Sequence, residues 1–495
     1  MLFNSIEYLL FLPLVFILNY SLPERFRWIL LLISSIIFYM MAGATTIIVP
    51  IIITLSTFTV GLLMDKTSNA AKKKMYFLSG LFINIGLLAF YKYINFFIAT
   101  TFDGLNFLNN LGNREQSVDH SSIVLNLIVP LGISYITFQA IGYLIEIKRG
   151  NHQSEKNLGL FATYLMFFPK LLSGPIERAH NFIPQLHQKK EFNYEMIVEG
   201  LKRIARGLFL KLVVANRLAM YTDSVFNNYE QHTGVTLLIA AVFFTIQMYA
   251  DFAGYTDMAI GSAQILGYRL MENFDNPFTA NSVSKFWRRW HISLSSWVND
   301  YIFNPIVISL RNWNKWAVVY AGMVTFLILG FWHGANWNYI IFGFLQGLVL
   351  AAEFLTRKIR KKIRNYIPSW INEFLGISFT FGYFTFSLIF FNAKSVYSAI
   401  YIVKHIVTGI PDSLKMLLNH QSIFENVGLE RSDLILSVFL ILGVWIIQQI
   451  QNKNDLLEVL KKKPTIVRWI AYYGLVLSIL FLGVFESRQF IYFQF

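Results

Sequence analysis

Apolar runs of about 20 residues recur along this whole chain, and they constrain its fold most, because a helix of that length crosses the hydrocarbon core of a bilayer. The 495 residues are 55% hydrophobic and only 14% charged, so they cannot cover a water-soluble surface of ordinary polarity. This composition excludes a soluble enzyme and an intrinsically disordered protein. The runs therefore predict an all-α, polytopic membrane protein.

We predict a single integral-membrane domain over residues 1–495, with roughly 11–13 membrane segments that include broken or re-entrant helices. The candidate spans cover residues 6–21, 28–43, 46–64, 76–99, 121–145, 158–173, 200–220, 234–266, 316–332, 338–356, 372–391, 434–451 and 469–485. Two spans are interrupted by proline and glycine, at Pro130, Gly132, Pro169, Gly174 and Pro175. The first run lacks the basic flank and cleavage site of a signal peptide, so we interpret it as a retained helix.

The distribution of charge predicts an orientation in the membrane. The net charge is +14, and basic clusters alternate with acidic or neutral connections. The positive-inside rule places the basic clusters on the cytoplasmic side, at residues 72–74, 148–149, 189–190, 202–206, 311–315, 357–364 and 461–468. The connections 102–120, 222–232 and 411–433 then face outward, as does the C-terminal tail, which follows one further span. Anionic lipid headgroups explain the positive charge, so we expect no nucleic-acid partner.

The densest group of polar residues in this apolar background lies at residues 285–305, in KFWRRWHISLSSWVNDYIFNP. As a single helix, this stretch is amphipathic and lies at the membrane interface, with a belt of aromatic rings and cations that reach water. As a binding site, it is a basic, aromatic mouth for a polyanionic ligand that carries a ring. Arginine and lysine then meet phosphates, and a tryptophan stacks on a base. Composition alone leaves both interpretations open.

A histidine marks the connection between spans 316–332 and 338–356, in the sequence GFWHGANWN. An imidazole at membrane depth is costly to charge, and a neutral imidazole acts as a general base near pH 7. His333 is therefore a candidate catalytic residue, and the alternative is a hydrogen-bonded turn histidine. The remaining histidines form no tight ligand pair and the chain has no cysteine, so we expect no metal site.

Two carboxylates interrupt the span 234–266, in the sequence QMYADFAGYTDMAIG. A carboxylate inside a membrane is a functional candidate by default. We favour a structural interpretation for Asp251 and Asp257, in which they pair with Arg288 or Arg289 and fix the helical bundle.

Five sequence blocks, taken together, resemble the membrane-bound O-acyltransferase (MBOAT) family, in its alginate O-acetyltransferase AlgI-like branch. They are PLGISYITFQ at 130–139, FFPKLLSGPIER at 167–178, YADFAGYTDMAIG at 249–261, NFDNPFTANSVSKFWRRWHISLSSWVNDYIFNP at 273–305 and LGFWHGANWNYIIFGFLQG at 329–347. The branch includes the peptidoglycan O-acetyltransferase PatA and is related to the teichoic-acid D-alanylation protein DltB. The blocks follow the family order and define a motif-bearing core at about residues 130–350.

The resemblance implies acyl transfer across a membrane, with acetyl-CoA on the cytoplasmic side as the donor. The family's invariant histidine corresponds to His333, the expected catalytic base. Its second histidine corresponds to His291, expected to line or support the acyl tunnel. With no cysteine, no thioester intermediate forms on the chain. Residues expected to contact the donor are Lys285, Arg288 and Arg289 at its phosphates, Trp287 at its base, and Asn336 or Asn338 at its carbonyl oxygen.

The final residues, FIYFQF at 490–495, resemble the F-x-Y-x-x-F acyl-transfer motif that a small partner peptide supplies to DltB-type proteins. We hypothesise that Tyr492 carries the acetyl group after His333 deprotonates its phenol. An SGNH-type partner outside the bacterial cytoplasmic membrane then passes the group to a polysaccharide such as alginate or peptidoglycan. The alternative interpretation of the tail is an aromatic anchor at the membrane interface. The alternatives for the whole chain are a secondary transporter or flippase, and an MBOAT enzyme with a lipid or protein acceptor.

Overall fold

The computed structural model describes residues 1–111, 123–172, 174–232, 234–419, 424, 427–451, 456–486 and 490–491. In these residues the regular structure is helical, apart from one isolated β-bridge between Phe274 and Trp290. Nine helical segments of this described part are long and apolar enough to cross a membrane, and Ile6–Ser21 is a shorter apolar helix. The predicted all-α, polytopic membrane fold is therefore confirmed.

The backbone groups into two compact units. The first comprises Met1–Val198, Ser262–Leu270 and Gly334–Asn336, and the second comprises Glu199–Gly261, Met271–His333 and Trp337–Phe495. The helices of the first unit are α1 (Ile6–Ser21), α2 (Glu24–Gly43), α3 (Ile48–Lys66), α4 (Ala70–Leu88), α5 (Ile94–Leu111), α6 (Ile133–Arg149), α7 (Leu158–Met166), α8 (Phe168–Leu171) and α9 (Ala179–His187).

The second unit contains most of α10, which begins in the first, and all later helices apart from the end of α12. They are α10 (Tyr194–Leu208), α11 (Asn216–Asn227), α12 (Gly234–Ile265), α13 (Val283–Arg289), α14 (Ile292–Val298), α15 (Asn304–Ser309), α16 (Lys315–His333), α17 (Trp337–Leu355), α18 (Arg357–Arg364), α19 (Ser369–Asn392), α20 (Val396–Leu418), α21 (Arg431–Gln451), α22 (Leu456–Lys461) and α23 (Thr465–Leu482). Among the described helices that are long enough to cross a membrane, α12 is the most buried, with 78% of its most apolar stretch inside the protein.

Helix α6 is the buried centre of the first unit. Every residue at positions 133–144 is buried, and the helix packs against α3 and α4. It begins where Gly132 adopts a left-handed conformation (φ 66°), so close to α8 that a Cβ would lie 2.6 Å from the carbonyl oxygen of Leu171. Residues 123–132 are not helical. The predicted span 121–145 is therefore wrong before Ile133; residues 121 and 122 lie outside the described residues.

The other span with internal proline and glycine is broken as predicted. Residues 158–171 form two short helices, α7 and α8, separated at Phe167, where ψ is 110°. Pro169 falls in the first turn of α8, where its missing N–H has no helical partner to lose.

The connections predicted to face outward are shorter than expected, because α5, α11 and α20 each extend into one of them. The α-helical portions are 102–111, 222–227, 411–418 and, at the start of α21, 431–433. Helix α20 is absent from the predicted spans, since Lys404, Pro411 and Lys415 lower its hydropathy. It packs against α17 and α19, so tertiary contacts rather than an apolar pattern stabilise it.

Helices α16 and α17 form a hairpin in which the two backbones touch. A Cβ on Gly330 would lie 2.3 Å from the carbonyl oxygen of Tyr339, and a Cβ on Gly343 would lie 2.2 Å from that of Phe326. Small residues permit this close approach of two membrane helices. The contact is one turn from His333, the last residue of α16, and fixes the end of that helix.

Three turns of π-helix interrupt the regular helices of the described chain: Ala89–Tyr93, Phe209–Ala215 and Asn299–Phe303. The second joins α10 to α11 without a break. A π-turn holds an extra residue and leaves backbone groups available for other partners, which is why such turns are frequent at functional sites.

Candidate active site

His291 occupies a sharp bend between two short helices. Helix α13 ends at Arg289, α14 starts at Ile292, and His291 has left-handed backbone angles, φ 45° and ψ 54°. The stretch 285–305 is therefore not one amphipathic helix at an interface, and that interpretation is wrong. The rings of Trp287, Trp290 and Trp297 are buried in the second unit rather than arranged as a belt facing lipid. A left-handed conformation costs a non-glycine residue about 1–3 kcal/mol, so the surroundings must hold it.

A neighbouring segment of the same unit holds this bend. The N–H of Ile292 donates to the carbonyl oxygen of Asn273 at 2.9 Å. The side-chain oxygen of Asn273 accepts the N–H of Ser293 at 3.2 Å and its hydroxyl at 2.7 Å. The N–H of Asp275 donates to the carbonyl oxygen of Arg289 at 2.9 Å. Asn273 is fully buried, so these hydrogen bonds are made away from water and fix the backbone on both sides of His291.

The two predicted histidines share an aromatic cluster. The His291 ring meets Phe252 edge-on, with centroids 4.7 Å apart. Trp332 lies 6.2 Å from the His291 ring and 5.0 Å from the ring of His333. On its other side, His333 contacts Phe391 at 5.1 Å. Both imidazoles are at most 6% exposed, so they lie in a dry, ring-lined environment.

Burial governs the protonation of His291. It lowers the pKa of His291 well below the ordinary value, and the neighbouring imidazole of His333 lowers that pKa further, because two adjacent buried imidazoles disfavour a charge on either ring. The imidazole of His291 is consequently neutral at physiological pH. A neutral imidazole can accept a proton or a hydrogen bond.

The C-terminal tail enters the interior of the second unit next to this cluster. Phe490 is fully buried, and its ring lies 4.5 Å from that of Tyr255 and 5.9 Å from that of Phe252. The backbone N–H of Ile491 donates to Oδ2 of Asp251 at 2.8 Å. Phe252 thus contacts both the tail and His291. Tyr492, the predicted acyl carrier, lies outside the described residues.

Comparison with known proteins identifies the chemistry of this architecture. The profile of the MBOAT, membrane-bound O-acyltransferase family, matches residues 148–396. The chain is 35% identical over 357 residues to the probable alginate O-acetylase AlgI of Azotobacter vinelandii, with 71% of this chain and 68% of that protein covered. It is 31% identical over 396 residues to a peptidoglycan O-acetyltransferase of Helicobacter pylori, covering 74% and 71%. It is 31% identical over 278 residues to a teichoic acid D-alanyltransferase of Bacillus subtilis, covering 54% and 70%.

The matched region contains both histidines of the aromatic cluster. The chain belongs to the membrane-bound O-acyltransferase family. It is therefore a multi-pass integral membrane enzyme, an O-acyltransferase.

The residues predicted to hold the donor phosphates in this MBOAT enzyme lie on α13. Lys285 and Arg288 are exposed and three residues apart, so they share one face of the helix. Arg289 is half-buried and donates to the hydroxyl of Thr279. The carboxylate of Glu353 accepts the first backbone N–H groups of α13, at 3.1 and 3.0 Å, and anchors the helix to α17. A rigid helix with two exposed cations can meet a polyphosphate.

The proposed stacking of Trp287 on a nucleotide base is corrected by the structure. Its ring is buried, packs edge-on against Phe326 at 5.0 Å, and donates its indole N–H to Gln346 at 3.1 Å. Gln346 in turn donates to Ser387 at 2.7 Å. This buried chain of hydrogen bonds ties α13, α17 and α19 together, so Trp287 belongs to the core of the MBOAT fold.

The two candidate residues for the donor carbonyl occupy different positions. Asn336 lies in the turn between α16 and α17 and is partly exposed. Asn338 is buried in the first turn of α17, and its side-chain nitrogen donates to the carbonyl oxygen of Ala393. That bond places Asn338 at the junction of α17 with the end of α19.

The predicted partners of the two intramembrane aspartates are wrong. Asp257 binds Arg203 at 3.0 Å and Arg206 at 2.7 Å, both on α10, rather than Arg288 or Arg289. Asp251 binds Lys211 of the second π-turn, with 2.6 Å between Oδ1 and Nζ. Both carboxylates do form ion pairs between segments of the bundle, as the structural interpretation predicted. The basic residues of α10 could have been considered as partners because they recur every third or fourth residue along a helix.

Sequence reasoning did not identify three residues around the histidines. Phe252, Asn273 and Lys211 carry no chemical signature, since they act by packing, by accepting backbone hydrogen bonds and by pairing a buried charge. Among the described residues no three histidine, aspartate or glutamate side chains converge as metal ligands.

Proposed function

We propose that this MBOAT enzyme takes an acetyl group from acetyl-CoA on the cytoplasmic side of the bacterial cytoplasmic membrane and delivers it to an extracytoplasmic polysaccharide. The curated relatives support this direction, since two are named for O-acetylation of alginate or peptidoglycan and one for D-alanylation of teichoic acid. All three named acceptors are polymers rather than lipids or proteins. The polymer class is therefore the favoured acceptor.

One observation carries the proposal. A pair of buried histidines, His291 and His333, shares an aromatic cluster with the segment that directly precedes Tyr492. A general base has to lie within hydrogen-bond reach of the proton that it removes. Ile491 is held beside the same cluster by Asp251, so the next residue along the chain is the natural nucleophile.

In the first half-reaction His333 accepts the phenolic proton of Tyr492. The phenol has an unperturbed pKa of about 10, so it is a weak nucleophile at pH 7 without a base. The phenolate oxygen bonds to the thioester carbonyl carbon, the carbon–sulfur bond breaks, and CoA leaves as a thiolate that takes up a proton. Neutral His291 supports the pocket, and Asn336 or Asn338 polarises the carbonyl oxygen as negative charge develops.

Electrostatics orient the donor. Lys285 and Arg288 meet the CoA phosphates from the exposed face of α13, and Arg289 extends this basic surface. The pantetheine arm then reaches the apolar interior at His333. This arrangement separates a charged head from a thioester that reacts away from water, where hydrolysis would compete.

In the second half-reaction an SGNH-type partner protein removes the acetyl group from the ester of Tyr492 and transfers it to a glycan hydroxyl. The positive-inside rule, which assigns the tail to the outer side, supports this assignment. The ester conserves the acyl group until the partner arrives, so the enzyme itself contacts no glycan.

The test is mass spectrometry of the purified protein after incubation with acetyl-CoA. The wild type is compared with His333→Ala, Tyr492→Phe and Tyr366→Phe, a control tyrosine that is 79% exposed. We expect an acetyl adduct on the C-terminal peptide of the wild type and of Tyr366→Phe, and none in the other two. Thermal unfolding of His333→Ala checks that its loss is not a loss of folding.

Two results would reject parts of the scheme. Full glycan acetylation in cells that carry Tyr492→Phe excludes the tyrosine as carrier. If CoA is released only after an acceptor is added, and no acetyl adduct forms on the protein, the acetyl group passes directly from acetyl-CoA to that acceptor. CoA release of any kind also separates an enzyme from a flippase.

A further inference from the structure

The carboxylate of Asp251 divides its two oxygens between unlike partners. Oδ1 lies 2.6 Å from Nζ of Lys211, and Oδ2 accepts the backbone N–H of Ile491 at 2.8 Å. The side chains of the pair are only 3% and 4% exposed. One oxygen of a buried ion pair is therefore used to bind backbone 240 residues further along the chain.

An aromatic surface adjoins this carboxylate. Tyr255 and Phe252 pack against Phe490, and the ammonium of Lys211 lies over the Tyr255 ring, 5.4 Å from its centroid. The segment Phe490–Ile491 thus meets a polar group through its backbone and rings through its side chain. Peptide recognition commonly divides in this way, with main-chain hydrogen bonds for affinity and side-chain packing for specificity.

The chain that leads to the tail is fixed to the second π-turn and to the helix after it. The N–H of Val484 donates to the carbonyl oxygen of Leu212 at 2.9 Å, and Asn216 donates to the carbonyl oxygen of Val484 at 2.8 Å. Arg217 donates to the carbonyl oxygen of Leu482 at 2.7 Å. The π-turn therefore supplies both the backbone acceptor for this segment and Lys211.

We propose that Asp251 and Lys211 form a docking site for the C-terminal segment, and that this site positions the residue after Ile491 for reaction. The ligand class is a peptide segment in which an aromatic side chain precedes a backbone N–H that is available to the carboxylate. The assignment rests on the proposed function for its catalytic meaning, whereas the docking itself does not depend on acetylation. Asp251 is a positioning residue here, because it acts through the tail.

Charge burial supports a role beyond packing. Replacing a buried ion pair with apolar residues of similar volume is often neutral or stabilising, so stability alone is a weak explanation of a buried pair. The pair offers an acceptor that an apolar core lacks. Without it, the N–H of Ile491 would be buried with no hydrogen bond.

The absence of cysteine makes a direct experiment possible, since one introduced cysteine takes one label. A nitroxide on Gln494→Cys reports the mobility of the tail by electron paramagnetic resonance in nanodiscs. The label is placed in the wild type and in two double variants. The Leu variant combines Asp251→Leu with Lys211→Met. The Asn variant combines Asp251→Asn with Lys211→Met and so retains a side-chain carbonyl oxygen. Asp412→Leu with Lys415→Met removes an exposed pair and is the control.

We expect an immobile label in the wild type, the control and the Asn variant. In the Leu variant the mobile fraction should rise by about tenfold or more, the effect of losing a hydrogen bond to a charged acceptor. In the same variant acetyl-adduct formation should slow with the KM for acetyl-CoA unchanged, which a general loss of structure would not produce. If the Leu variant does not fold, Phe490→Ala tests the same docking site.

An immobile label in a folded Leu variant and in Phe490→Ala overturns the docking site. A mobile label in the Asn variant does so as well, because the acceptor is still present. The relay through Tyr492 fails separately: a docked tail together with full glycan acetylation by Tyr492→Phe leaves the docking site standing and rejects the carrier.

Discussion

The hydrogen bonds that hold the bend at His291 make a quantitative prediction. Asn273→Ala removes the single oxygen that accepts both the N–H and the hydroxyl of Ser293. Ser293→Ala removes only the hydroxyl. The two substitutions therefore affect one shared interaction to different extents, and His291 lies two residues away in a conformation that needs support.

The expected magnitudes follow from the number of bonds lost. Ser293→Ala should lower the free energy of unfolding by about 1 kcal/mol, the net value of one neutral hydrogen bond. Asn273→Ala should lower it by about 2–4 kcal/mol, because it removes the oxygen that accepts from two buried donors. The double variant lacks the hydroxyl as well as its acceptor, so the shared hydrogen bond is lost only once. The decrease in its free energy of unfolding should therefore be about 1 kcal/mol smaller than the sum of the decreases in the two single variants.

The assay is unfolding in mixed micelles, together with the rate of CoA release at saturating acetyl-CoA. Asn365→Ala, at an exposed position, is the control, with an expected effect within about 0.5 kcal/mol. Asn273→Ala should slow turnover more than Ser293→Ala, since a displacement of about 1 Å at a catalytic group can cost 100-fold in rate. Additive energies, or full turnover in a destabilised Asn273→Ala, would refute the idea that this pair positions His291.

Three further predictions concern packing, protonation and charge. Gly330→Ala should destabilise by about 1–3 kcal/mol, because its Cβ meets the carbonyl oxygen of Tyr339, whereas Gly322→Ala on the same helix, with open space around it, should be neutral or stabilising in thermal unfolding. Burial holds the pKa of His291 below the unfolded value of about 6.5, so on acidification the unfolded state binds more protons than the folded state. The free energy of unfolding should therefore fall by about 1.4 kcal/mol per pH unit below that value. His291→Gln should lose this share of the pH dependence when unfolding is measured from about pH 7.5 to 5.5. Asp257→Asn should lower the free energy of unfolding, but by less than the about 3–5 kcal/mol of a fully buried broken pair, because Arg203 keeps its partner Glu272 and Arg206 is partly exposed, while the exposed Asp412→Asn should leave the melting temperature unchanged.

Much of the helical layout could be predicted because lipid imposes a simple rule on sequence. The predicted spans 6–21, 316–332 and 338–356 agree with α1, α16 and α17 to within a residue or two. Helix α20 could not be found in this way, since its polar residues are tolerated by packing against α17 and α19. The apolar residues 123–129 mislead in the opposite direction: they are mostly exposed and non-helical, because an apolar run does not by itself specify a helix.

The site divides along similar lines. His291 and His333 could be singled out because histidines are rare in apolar surroundings, and the structure brings them into one cluster. The partners of Asp251 and Asp257 could not be predicted, since the paired residues are 40–54 positions apart and any basic residue of the right depth would serve. Trp287 could equally have been a surface ring or a core ring, and only tertiary packing decides between them.

The tethering of the tail has a kinetic consequence. Val484 is bound to Leu212, and only five residues, 485–489, separate it from the docked Phe490. A short link of this kind gives an effective concentration of about a millimolar, so contacts whose dissociation constant lies below that value keep the segment bound most of the time. A free peptide of the same sequence would have to be present at comparable concentration to compete. A departed tail therefore returns to its site by an intramolecular search, at a rate that does not depend on how many copies of the protein the membrane holds.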